Sequence, residues 1–146
     1  MSAYRAEYRI LQFLLGALGA AAIGIGLMIF ILGEQAVNVV ANVYDTIVGQ
    51  TVSPTQPISA TIDSELRFYS TLWLSYGLLL VWVTRALVKH IRLVPILAGV
   101  FFLGGVGRIL SLVLIGAPHP VFIVLMAIEI VFPILVGVLY VRIRPN

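Results

Sequence analysis

The stretch LVPILAGVFFLGGVGRILSLVLIGAPHPVFIVLMAIEIVFPILVGVLYV, residues 93–141, decides the fold. It contains two apolar runs, Leu93–Ile115 and Val121–Val141, on either side of Gly116-Ala117-Pro118-His119-Pro120. Each run holds a single charge, Arg108 in the first and Glu129 in the second. About 20 apolar residues suffice to carry a helix across a hydrocarbon core of about 30 Å, and both runs reach that length. The Gly/Pro segment between them is short and turn-forming, so the two helices are expected to be antiparallel neighbours. Upstream lie two more apolar stretches, Ile10–Leu32 and Phe68–Val83. The latter is long enough once its helix extends to Leu66 and Leu87.

Composition agrees with four spans. Of 146 residues, 61% are hydrophobic and 10% charged, against about 25% charged in soluble domains. The expected fold is all-α: an integral membrane four-helix bundle in one domain, residues 1–146. Its helices are expected at about 8–33, 64–88, 93–116 and 120–142, with an outer loop over 34–63. These elements use up the chain and leave no room for a soluble catalytic module. The Ile10–Leu32 run is broken only by Gln12 and exceeds the h-region of a signal peptide, so it reads as a retained helix. Cysteine is absent, which excludes disulfides and thiolate chemistry.

The basic residues follow topology and do not call for a nucleic acid. Arg5 and Arg9 precede the first span, Arg85, Lys89 and Arg92 lie between the second and third, and Arg142 and Arg144 end the fourth. With four crossings all seven fall on one side. The other side carries Glu34, Asp45, Asp63 and Glu65, with Arg67 at the mouth of the second span. A Lys/Arg excess marks the cytoplasmic face, so both termini are expected there. Tyr4, Tyr8, Trp82 and Tyr140 near one boundary, and Tyr69 and Trp73 near the other, fit interfacial aromatic belts.

Between Gly33 and Ser64, Val37, Val40, Tyr44, Ile47 and Val48 recur at helical spacing, with Asn38, Asn42 and Asp45 opposite. A short amphipathic helix along the outer surface, or an extension of the first helix, is expected, with Ser53-Pro54-Thr55-Gln56-Pro57 breaking it. Asp63 or Ser64 is expected to cap the next helix. In the first span, Gly16, Ala20 and Gly24 repeat every four residues. Small residues at that spacing let a second backbone come close, either within the bundle or between copies or partner subunits.

Depth ties the two buried charges together. Arg108 and Glu129 both fall about 10–12 Å inside the outer boundary at about 1.5 Å per residue. An isolated charge near mid-bilayer costs about 2.5–3.5 kcal/mol, and pairing relieves part of that. Pro133 cannot donate to the carbonyl of Glu129, which leaves a second acceptor in the same turn. Gly104, Gly105 and Gly107 thin the third span beside Arg108, and Ser111 follows one turn on. Ser64, Arg67, Thr71 and Ser75 form a polar stripe in the same leaflet. The expected cluster is Arg67, Arg108 and Glu129 with Glu65 at its rim, supported by Thr71, Ser75, Gly104, Gly105, Ser111 and Pro133. Its role is ligand binding or structural.

No ionisable group occurs in Leu78–Val83, Ile96–Leu103 or Ile134–Leu139, so polarity stays in the outer half. A pore or proton relay would need it throughout, and a transporter is expected to show repeated halves around a midplane site. His90 and His119 are separated and read as loop residues, so no metal site is expected. No cofactor is expected either. Gly104-Gly105-Val106-Gly107 follows no strand and is not a phosphate loop.

Asp63-Ser64-Glu65-Leu66-Arg67-Phe68-Tyr69, Gly104-Gly105-Val106-Gly107-Arg108-Ile109-Leu110-Ser111 and Ala127-Ile128-Glu129 resemble a family of small bacterial membrane proteins, domain of unknown function 4345 (DUF4345). The resemblance spans the second to fourth helices and, more loosely, the first. It implies a four-helix integral membrane protein of the bacterial inner membrane, and it brings no activity with it. A more distant likeness to DoxX-type proteins rests on architecture alone. Three readings follow. One is a non-enzymatic accessory subunit or a binder of a lipid or lipophilic molecule. Another is an intramembrane enzyme using Glu129 or Glu65 on a lipid-like substrate. The third is a small transporter.

Overall fold

The computed structural model describes residues 2–51 and 60–143, with side chains from Arg5 onward. The Ser53–Pro57 break, Arg144 and the side chain of Tyr4 lie outside the described residues. All regular structure among the described residues is helical: α1 (Ser2–Leu32), α2 (Gln35–Val48), α3 (Ala60–Arg85), α4 (Leu87–His90), a 3-10 turn (Ile91–Leu93), α5 (Val94–Leu114) and α6 (Pro120–Ile143). Four segments are long and apolar enough to cross a membrane: Arg5–Leu32, Ala60–Arg85, Leu87–Leu114 and Pro120–Ile143. Large apolar side chains face outward along them, Phe13 and Val113 at 74% exposure among them. Soluble proteins rarely show so much contiguous apolar surface.

α1 and α3 start before the expected bounds, whereas α3 and α5 end short of them. α1 starts at Ser2 instead of residue 8, because Arg5, Glu7 and Arg9 are competent helix formers outside the apolar run. α3 starts at Ala60, so neither Asp63 nor Ser64 is its cap. Asp63 sits inside the first turn, where its negative charge suits the helix N-terminus. The expected basic loop between the second and third spans is not a loop. α3 ends at Arg85, the break falls on Ala86 (φ −139°, ψ 53°), and Lys89, His90 and Arg92 ride on helical turns beyond it. The amides of Lys89 and His90 both donate to the Ala86 carbonyl. His90 is half-buried rather than solvated, with its ring 3.9 Å centroid to centroid from that of Trp82.

The chain divides into two compact units, Leu18–Leu79 and the combination of Met1–Ala17 with Leu80–Asn146. The second of these packs with full-size aliphatic side chains: Leu11, Leu15, Leu80, Val83, Leu87 and Val94 are buried. In it the Gln12 side-chain amide donates to the Thr84 carbonyl at 2.8 Å. Arg142 reaches Glu7 at 3.2 Å, tying the two ends of the sequence in an exposed pair. α5 packs along α6, with Phe101 and Phe132 edge to face at 5.9 Å.

Leu18–Leu79 packs through small residues instead. A Cβ on Gly26 would stand 2.9 Å from the Leu74 amide nitrogen and 3.1 Å from the Ser70 carbonyl oxygen. One on Gly77 would stand 2.7 Å from the Gly19 carbonyl oxygen. Close α1–α3 contact therefore uses Gly19, Ile23 and Gly26. The Gly16–Ala20–Gly24 stripe is not the face that packs: Ala20 and Gly24 are exposed, and nothing stands within 4 Å of a Cβ on Gly16 or Gly24.

α2 forms where helical spacing places it and ends on left-handed Gly49, whose amide donates to the Asp45 carbonyl. Of its expected apolar side, Val37, Val40 and Tyr44 are half-buried and Ile47 and Val48 are exposed. Asp45 is buried at 2% exposure along with Ala36, whereas Val39, Val43 and Ile47 form the outward row.

Candidate functional site

Arg108 lies on α5 and Glu129 on α6, and both belong to the unit that contains the α5–α6 hairpin. α5 ends at Leu114, Gly116 turns the chain at φ +120°, and α6 begins at Pro120. Arg108 Nε donates to Glu129 Oε2 at 2.8 Å. The pair is asymmetric: side-chain exposure is 5% for Glu129 and 35% for Arg108.

Gly105 explains how the carboxylate is enclosed. A Cβ there would lie 2.8 Å from Ile130 Cδ1 and 3.0 Å from Glu129 Cβ, so only glycine lets α6 come this close. Gly104 has looser surroundings, with Glu129 Oε2 3.7 Å from an added Cβ, and Gly107 faces open space. Pro133 is buried inside α6 one turn beyond Glu129. The hydrogen bond from Arg108 goes to the carboxylate and not to the backbone carbonyl that Pro133 leaves free. Ser111 is exposed and takes part through its carbonyl, which accepts from the Ile115 amide.

Arg108 also stands 5.7 Å above the Phe122 ring, within range of a cation–π attraction. Phe122 in turn meets His119 edge-on at 6.5 Å. His119 Nδ1 accepts from the Val121 amide at 3.4 Å, which places the imidazole at the start of α6. The site therefore contains two aromatic residues that the charge pattern did not reveal.

Arg67 is engaged elsewhere, in the unit Leu18–Leu79. Its Nε donates to Asp63 Oδ2 at 2.8 Å, one helical turn away. One terminal nitrogen donates to the carbonyls of Phe30 and Ile31 at 2.8 and 3.1 Å. Asp63 Oδ1 accepts from the Glu34 amide at 3.0 Å. The α1–α2 joint is thus capped from both sides: the guanidinium takes carbonyls that the end of α1 leaves unpaired, and the carboxylate takes an amide at the start of α2. Gly33 (φ +59°) makes the joint possible, because any Cβ there would overlap Asp63.

Of the expected cluster, Arg108 and Glu129 pair with each other in one unit, and Arg67 makes its ion pair with Asp63 in the other. Asp63, first read as a helix cap, is the partner of Arg67. Glu65 is exposed and makes no ion pair among the described residues. Thr71 and Ser75 donate to carbonyls of their own helix, those of Phe68 and Thr71. Two hydroxyl residues of that helix are buried, Ser70, which donates to the Arg67 carbonyl, and Thr84, which donates to that of Val81. Among the described residues, no group of three or more potential ligands is placed to hold a metal.

Four helices long and apolar enough to cross a membrane, with one carboxylate sealed against a guanidinium between two of them, fit a helical membrane protein. Within that class, the chain belongs to the family described as domain of unknown function (DUF4345), whose model matches residues 10–140. No curated protein and no solved structure matches the chain.

Proposed function

We propose that this protein is a non-enzymatic four-helix component of the bacterial inner membrane, acting as a structural or accessory subunit. Both termini face the cytosol, as the distribution of Lys and Arg indicates. The observation that carries the reading is the inequality within the buried pair, a sealed Glu129 beside a partly open Arg108. A carboxylate enclosed by Gly105 and Ile130 offers a substrate no approach, which weighs against an acid–base role. As a fixed counter-ion it holds α5 against α6 and balances the guanidinium charge in an apolar setting. The outward part of the guanidinium is then a place for an anionic lipid group in the leaflet away from the cytosol.

The test is a double-mutant cycle read by reversible unfolding in mixed micelles. Glu129→Gln leaves Arg108 unpaired and is expected to cost about 2 kcal/mol, below the usual buried-pair loss because Arg108 is partly exposed. Adding Arg108→Gln should recover more than half of that loss. Wild-type stability in Glu129→Gln would remove the lock.

The accessory role has its own support in the Gly16–Ala20–Gly24 face, which is open in this chain and suited to close helix approach. Ala20→Leu is expected to release a copy or partner subunit during purification in native lipid while unfolding stays unchanged. Identical assemblies from both proteins would rule out this face.

A further inference from the structure

A second polar feature lies in the unit formed by Met1–Ala17 with Leu80–Asn146. Arg5, Tyr8, Arg9 and Gln12 follow helical spacing on one face of α1 and, with Val88 of α4, line a cleft of about 280 Å³. That volume is at the small end of ligand pockets and fits a headgroup better than a whole lipid.

The charges around the cleft are unbalanced. Arg5 and Arg9 are one turn apart, both exposed, and neither pairs with an acid among the described residues. Like charges at that spacing repel. Arg5 also stands at the opening turn of a helix that has no acidic residue there, where the backbone dipole is already positive. Glu7 is committed to Arg142. Gln12 holds the floor of the cleft through its bond to the Thr84 carbonyl. The walls are mostly hydrocarbon, from Val88, the Tyr8 ring and the arginine stems. A bare inorganic ion gains nothing from such walls, whereas a phosphate attached to a glycerol backbone uses both the cations and the hydrocarbon.

We infer that this cleft binds the phosphate of an anionic phospholipid, with Arg5 and Arg9 clamping the phosphate oxygens and Tyr8 and Val88 packing against the glyceryl end. Two guanidinium groups suit phosphate because each offers a planar fork of donors. Basic pockets beside membrane helices are a recurrent way of holding acidic headgroups.

Native mass spectrometry of the full chain in a non-ionic detergent tests this, because no lipid surface potential is present to attract charge non-specifically. The probes are a short-chain phosphatidylglycerol, the matching phosphatidylcholine and inorganic phosphate. Phosphatidylglycerol should be retained over phosphatidylcholine, and Arg5→Gln/Arg9→Gln should weaken that retention about tenfold. Arg85→Gln/Arg92→Gln removes the same charge outside the cleft and should change it less than about twofold. Equal losses in the two variants, or no preference between the two lipids, would overturn the inference. Displacement of phosphatidylglycerol by inorganic phosphate at similar concentration would assign the site to free phosphate and also overturn it. Both arginines are exposed, so unchanged unfolding of the variant would show that the loss reports binding.

Discussion

Two ion pairs with the same 2.8 Å Nε–carboxylate geometry do different work in the two units of this chain. Arg108–Glu129 joins separate helices, and its carboxylate is almost completely enclosed. Asp63–Arg67 lies within one helix, and its members are 35% and 41% exposed, yet it closes a joint about thirty residues upstream. The surrounding packing differs in the same sense. Leucine and valine fill much of the interior of the unit that holds the first pair, with Gly105 letting α5 and α6 close at the pair itself, while glycines bring backbones together in the unit that holds the second. Sequence separation therefore says little about what an ion pair holds. What matters is which backbone groups and neighbouring helices would be left without a partner.

The sharpest way to break the comparison is steric. Gly105→Leu would push α6 away from α5 at Ile130 and Glu129, loosening the packing and the ion pair together. The expected loss is about 3 kcal/mol by unfolding in mixed micelles, larger than that of Glu129→Gln. An unchanged midpoint would mean that the close approach at Gly105 contributes little. The corresponding change in the other unit is Gly33→Val, which combines a left-handed backbone with a collision at Asp63. A loss of about 2 kcal/mol is expected. Hydrogen exchange should localise it to the amides around Glu34 and leave those of α5 and α6 protected. If protection fell equally in α5 and α6, the two pairs would not be separable devices.

Several of these features were legible from residue order. The apolar runs gave the spanning helices, and the short Gly116–Pro120 connection made α5 and α6 neighbours. Matching depth then put Arg108 beside Glu129. The same depth argument overlooked the carboxylate four residues upstream of Arg67 on its own helix face. The i, i+4 spacing of Asp63 and Arg67 was there to be read. No local pattern could show that the Phe30 and Ile31 carbonyls were waiting for that guanidinium, since that requires α1 and α3 to be packed. The burial of Asp45 on α2 was not legible either, because hydrophobicity does not separate inside from outside where Val39, Val43 and Ile47 face out. Four-residue spacing of small residues likewise marks a helix face able to pack, and in α1 the face in use is the neighbouring one.

A third ion pair sets the baseline. Arg142–Glu7 is longer, at 3.2 Å, and Arg142 is 63% exposed. It is partnered by a side chain alone, with no backbone group depending on it. Exposed pairs of this kind contribute about 0–1 kcal/mol, and salt screens them. Arg142→Gln is therefore expected to shift stability by less than about 0.5 kcal/mol and to lose even that effect in high salt. A salt titration of the three variants should separate them. The effect of Arg142→Gln fades with ionic strength, that of Glu129→Gln persists because its carboxylate is buried, and that of Gly33→Val persists because it is steric. A loss from Arg142→Gln as large as that from Glu129→Gln would show that burial does not rank these pairs, and the contrast between the two units would then have to rest on their packing.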